Sequence, residues 1–166
     1  MRAQHKRPAI ATGIAVLAAA GLLTFASGAV AGHTNAVLEA DLDGRTEVGQ
    51  TPAIVGDPDG RGDVYVFGID GDPTTLCYVL TVDKIGPATA AHIHRADAGA
   101  NGPVVVNLAA PGDGNSADCL TESETGKFVG DQTVEEILEH PDHFYVNVHN
   151  AEYPGGALRG QLAAER

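Results

Sequence analysis

The chain has 166 residues, with 22 Asp and Glu against 10 Lys and Arg, for a net charge of −12 at pH 7. Such a surface repels nucleic acid and anionic membranes, which excludes both as primary partners. The length suits one domain with one real core.

The first residues read as an export signal. Arg2, Lys6 and Arg7 form a basic region, Ile10 to Phe25 is apolar and uncharged, and Ala29-Val30-Ala31 places small residues where a signal peptidase cuts. The apolar run is short for a membrane span of about 20 residues, so cleavage after Ala31 is expected rather than anchoring. Pro8 after Arg7 rules out a twin-arginine pair. Residues 1–31 are thus the expected signal peptide and residues 32–166 the expected single β-domain, secreted or extracytoplasmic, with no membrane span after cleavage. No carboxylate and three of the ten cations precede the cut, which leaves seven cations against 22 carboxylates and a charge of −15.

The rest reads as short strands between Gly, Pro and Asp turns. Asn35 to Leu42 is the first expected strand. After a turn-rich stretch from Gly49 to Gly62, Val64 to Ile69 is almost continuously apolar, as in a strand buried on both faces. Gly71-Asp72-Pro73 is expected to break it. Leu76 to Val82 follows, with Leu76, Tyr78, Leu80 and Val82 on one face. Thr89 to His94 and Val104 to Leu108 flank a tight turn, and Pro111 to Asp118 reads as a polar loop. A short strand is expected around Lys127 to Val129. Thr133 and Glu136 fit a capping box for a short helix over Val134 to Glu139, and Pro141 stops it. Phe144 to His149 and Ala157 to Leu162 read as a hairpin closed by Tyr153-Pro154-Gly155-Gly156. About seven or eight short strands and one short helix predict an all-β fold, an antiparallel Greek-key-like sandwich or barrel.

Cys77 and Cys119 are the only cysteines. In an exported chain an even pair is most simply one disulfide. It closes a loop of about 40 residues, worth on the order of 3–4 kcal/mol in the chain-entropy model.

Two histidine phrases dominate the second half: Ala91-His92-Ile93-His94, followed by Asn101-Gly102-Pro103-Val104-Val105, and Tyr145-Val146-Asn147-Val148-His149, followed by Pro154-Gly155-Gly156 and Arg159-Gly160-Gln161-Leu162. From about Asn35 to Leu162 the chain resembles the CHRD domain, named for its occurrence in chordin and also found as a stand-alone exported bacterial protein. The resemblance implies an extracellular β-domain. Asn150 stands where the family often has Thr, and Ala157-Leu158 where it often has Glu before the Arg, so no role is carried over for those side chains. The growth-factor partners of chordin do not transfer. The expected partner is an extracellular protein or a cell-envelope component.

Parity adds chemistry. His92 and His94 share one strand face, Asn147 and His149 another, and Arg159 and Gln161 a third. Ile93, Phe144, Val146, Val148, Leu158 and Leu162 take the core faces. If the last hairpin pairs with the first His strand, His92, His94 and His149 cluster on one sheet surface. Three readings stand: a hydrogen-bonded network with Asn147, Arg159 and Gln161 that locks register, a Cu or Zn site, since imidazole suits both, or a solvated face. Asn147, Gln161 and Glu152 are the candidate partners for the ring nitrogens of a metal site. The ligand type invites comparison with copper/zinc superoxide dismutase, whose bridging and zinc-loop motifs are absent.

Asp57 to Asp63 resembles a calcium loop, but Arg61 occupies a ligand position and Gly68 the place of the bidentate Glu, so Ca is the weaker candidate. No nucleophile elbow or phosphate loop is present. The expected role is a binding or structural β-domain outside the cytoplasm, with no catalytic residues and no required cofactor. The alternative is a Cu- or Zn-binding protein, redox-active or not, built on His92, His94 and His149.

Overall fold

A computed structural model of the protein describes residues 36–49 and 55–165. The expected signal peptide lies outside the described residues, as does Asn35. The strands are β1 (Val37–Asp43), β2 (Arg61–Ile69), β3 (Asp72–Asp83), β4 (Ala88–Arg95), β5 (Val104–Leu108), β6 (Asn115–Thr121), β7 (Phe144–Asn150), β8 (Leu158–Gln161) and β9 (Ala163–Ala164), with a helix α1 (Val134–Glu139) before β7. The main sheet runs β5-β4-β7-β8-β1-β2-β3-β6, and β9 pairs with β1. The strand pairings among the described residues are antiparallel. This is the all-β fold expected, in the form of a nearly closed barrel. Its gap lies between β5 and β6. There the Ala109 N–H donates to the Tyr78 hydroxyl at 2.8 Å, and the Ser116 hydroxyl donates to the Ala109 carbonyl at 2.9 Å.

Alternation puts one face of each strand inside. Leu38, Val64, Val66, Leu80, Ile93, Val106, Val146 and Leu158 are buried in the core. The helix closes one side of the core with Val134, Ile137 and Leu138. The Thr133 hydroxyl accepts from the Glu136 N–H at 3.2 Å, but the Glu136 carboxylate serves Gln132 and Arg95 instead, so only half the capping box forms. Among the described residues no helix is long and apolar enough to cross a membrane.

Four local expectations are corrected. β2 is not buried on both faces: its burial alternates and Tyr65 is 43% exposed, because a barrel wall has one inner side. The β2–β3 break is confined to Asp70-Gly71, where Gly71 takes φ +79°. Asp72 and Pro73 begin β3, with the Asp72 carboxylate accepting from the Thr74 N–H at 3.0 Å and the Thr75 hydroxyl at 2.6 Å. The expected loop from Pro111 to Asp118 contains the start of β6. The short strand near Lys127 to Val129 is a single bridge, Val106 to Phe128. The flanking bonds from Asn107 N–H to Lys127 and from Val129 N–H to Val105 cover part of the free edge of β5.

Cys77 and Cys119 lie directly opposite each other on β3 and β6 and form the expected disulfide. Such a bond points to an oxidising compartment. β6 is an edge strand with mostly exposed side chains, so the disulfide holds what packing does not. Replacing both cysteines by serine is expected to lower unfolding free energy by about 4 kcal/mol, given the separation of 42 residues. Denaturant titration of the two proteins checks this, with unchanged midpoints as the contrary result.

Candidate metal centre

Strands β4 and β7 pair with Ile93 opposite Val146, both inward. That register sends His92 outward opposite Asn147, His94 opposite Tyr145, and His149 opposite Ala90. Strand β8 then adds Arg159 beside Asn147 and Gln161 beside Tyr145. His92 and His149 become diagonal neighbours across the ladder, close enough for long side chains to meet. Their ring centroids are 5.0 Å apart, and those of His92 and His94 are 5.6 Å apart. One nitrogen from each of the three rings lies within 4.8 Å of the others. The expected cluster therefore exists, on the outer wall of the barrel.

Two backbone carbonyls decide which nitrogens are free. His94 Nδ1 lies 3.0 Å from the Gly102 carbonyl, and His149 Nδ1 lies 3.0 Å from the Pro154 carbonyl. A carbonyl only accepts, so each Nδ1 carries the proton and each Nε2 keeps its lone pair. His94 Nε2 is buried with no hydrogen-bond partner among the described residues. His149 Nε2 faces His92 Nδ1 at 3.2 Å. With its own Nδ1 protonated, His149 Nε2 accepts this bond from His92 Nδ1; loss of that one proton would leave two nitrogens at the roughly 3.3 Å that tetrahedral zinc requires.

Burial keeps the rings neutral. It pushes the His92 pKa from 6.5 down to about 4, helped by neighbouring His149 and His94. Burial also lowers His94 and His149, partly opposed by their carbonyl partners. Neutral imidazoles at pH 7 are the form that binds metal.

Asn147, Arg159 and Gln161 lie on the same outer wall, and their hydrogen bonds go to partners other than one another or the histidine nitrogens. The carbonyls of Ala96, Asp142 and Phe144, at 3.0, 2.7 and 2.8 Å from Gln161 Nε2, share its two hydrogens. Arg159 donates to Asn101 Oδ1 at 3.0 Å and to the Ala100 carbonyl at 2.7 Å. Asn147 donates to the Leu158 carbonyl at 3.1 Å and to the Glu47 carboxylate. Glu152 is exposed, and its backbone N–H bonds Asn150 Oδ1 at 3.0 Å. The ring partners are thus backbone carbonyls in place of the side chains expected. The Gly/Pro turns were legible as turns, not as the source of those carbonyls.

Sequence reasoning also missed Tyr145 and Glu47 as parts of this face. The Tyr145 ring stacks on His94 with centroids 4.7 Å apart and planes 10° apart, and the Arg159 guanidinium lies 3.4 Å over Tyr145. Glu47 is half-buried, and burial raises its carboxyl pKa against the opposing pull of Val48, Arg159 and Asn147. Both turns need glycine. A Cβ on Gly102 would overlap the Arg95 carbonyl, and one on Gly156, at φ +141°, would overlap Glu47 and Asn147.

In the acidic loop Asp57 Oδ1 accepts from the Asp59 and Gly60 N–H groups at 3.1 and 3.2 Å, the pattern of an Asx turn. Clefts of about 370 Å³ beside Glu39, Asp41 and Gln161, and about 270 Å³ beside Thr46, Gly99 and Arg159, are lined by none of the three histidines. A single ion needs no cavity of that size.

The depressed histidines make stability pH-dependent. Above pH 6.5 His92 is neutral folded or unfolded and contributes nothing. Between 6.5 and about 4 the unfolded chain takes up a proton that the native ring refuses, so stability falls as pH falls. After discounting for solvent screening at a half-exposed ring, the loss at His92 is on the order of 1 kcal/mol. His92→Asn is expected to flatten that slope in denaturant melts of metal-free protein at stepped pH. Parallel slopes for both proteins would contradict it.

Comparison with curated proteins and with solved structures returns no match. A family model for the CHRD domain matches residues 38–162, which spans β1 to the residue after β8 and includes the three histidines, both glycine turns and the disulfide. The chain therefore belongs to the CHRD domain family.

Proposed function

We propose that this protein is a non-enzymatic binding domain outside the cytoplasm whose ligand is a divalent transition metal, Cu(II) or Zn(II), held by His92, His94 and His149. The observation that carries this reading is the placement of proton-bearing Nδ1 atoms on the Gly102 and Pro154 carbonyls, which leaves the Nε2 lone pair of His94 unused and that of His149 turned to the third ring, His92. Metal-bound histidines are held in this way by partners on the other ring nitrogen. Three imidazoles suit Cu and Zn over Mg or Ca, which prefer oxygen. The disulfide and membership in a family of extracellular domains support the location.

A pure register lock explains the cluster less well. It leaves His94 Nε2 buried without a hydrogen-bond partner among the described residues.

Elemental analysis after exposure to each metal and desalting tests the reading. The wild-type domain is expected to retain close to one equivalent of Cu or Zn, and His92→Ala/His94→Ala to retain almost none. Wild-type retention below about a tenth of an equivalent of either metal would refute it. The loaded domain is also expected to gain about 2.7 kcal/mol of stability when free metal is a hundredfold above its dissociation constant.

A further inference from the structure

The histidine cluster supplies three donors and no fourth. Among the described residues no carboxylate or thiolate joins it within the 4.8 Å span. Both cysteines are committed to the disulfide between β3 and β6. Structural zinc sites draw all four ligands from the protein, whereas three protein ligands leave one position for water or substrate. The three rings are half-buried on the outer wall, and the residue between His92 and His94, Ile93, fills the inner side. The remaining position therefore lies on the side of the wall away from the core.

Charge selects what enters. A divalent ion on three neutral imidazoles keeps both of its positive charges. A second positive group stands close by, since Tyr145 lies between the His94 ring and the Arg159 guanidinium. Glu47, bonded to Asn147, offsets part of the Arg159 charge. Among the described residues no carboxylate belongs to the cluster itself.

We propose that a metal held by His92, His94 and His149 keeps a fourth, outward-facing position that binds water and exchanges it for a small monoanion. This rests on the metal reading above and adds to it the class of exogenous ligand. The exchange is simple substitution: one metal–water bond breaks, one metal–anion bond forms, and no electron moves.

Cobalt(II), whose visible ligand-field bands respond to the donor set, is the probe. The full exported domain is loaded with Co(II) and titrated with azide, then separately with imidazole. Azide is expected to shift the bands, to saturate at one azide per metal, and to do so at lower concentration than imidazole. Bands that neither ligand moves would show a closed coordination shell and overturn the open position, with the metal site intact. Imidazole binding more tightly than azide would overturn the preference for anions. Failure of the domain to take up Co(II), Cu(II) and Zn(II) alike would instead overturn the metal reading itself.

Discussion

The pairing of Ile93 with Val146 is the constraint on which the rest of the outer wall depends. Both side chains are fully buried, and strand side chains alternate with a period of two. A slip of one residue in β4 against β7 would turn Ile93 out and drive imidazole into the core. The hydrophobic effect therefore places the histidines without acting on them. The same parity carries through β8, where Leu158 points in and Arg159 lies on the outer wall with Asn147. The bulge in the β4–β5 pairing falls between Ile93 and His94, at the place where the strand must feed the Gly102 turn.

Arg159 couples that register to the loops above it. Only 2% of it is exposed, so its charge has lost most of its water. Asn101, the Ala100 carbonyl, the Tyr145 face and the nearby Glu47 carboxylate replace that water. These partners come from three segments, the loop after β4 with Ala100 and Asn101, strand β7 with Tyr145 and the segment after β1 with Glu47, and Asn101 in turn donates to the Val48 carbonyl at 2.9 Å. The loop after β4 is thereby pinned between β8 and the segment after β1. Gly102 sits in that loop, so the carbonyl that orients His94 is held by an arginine that does not touch the histidine. Removing Arg159 would strand Asn101 and loosen the loop together, which makes the fold and the site hard to separate at this residue.

What was legible in the sequence follows from this physics. Alternation shows wherever one face is buried, so the parities of Ile93, Val146, Val148 and Leu158, and with them the side on which His92, His94 and His149 lie, could be read directly. The helix limits and the cysteine pairing were equally open to reading, through Thr133, Pro141 and a count of two cysteines. β6 was not. Its residues Asn115 to Ala117 are small or polar, because an edge strand with exposed side chains carries no hydrophobic period. β2 misled in the other direction, since Tyr65 and Phe67 extend the apolar run onto the outer face. Glu47 lies 100 residues from Asn147 and carries no local sign of its destination. The carbonyls of Gly102 and Pro154 are invisible for a plainer reason: every residue has one.

Those carbonyls also separate the two accounts of the cluster. A register lock needs only that the rings hydrogen-bond to something, and the His92–His149 contact alone would serve. It gives no reason for two separate turns to present a carbonyl to the far nitrogen of two separate rings. Nor does it explain why the nitrogen left over on His94 has no hydrogen-bond partner among the described residues. Both features follow at once if the lone pairs are meant for an ion, because a ligand must be deprotonated at one nitrogen and is steadied at the other. The glycine at 102 then acquires a second cause beyond turn geometry: only there can the chain pass close enough to the Arg95 carbonyl to aim its own at His94.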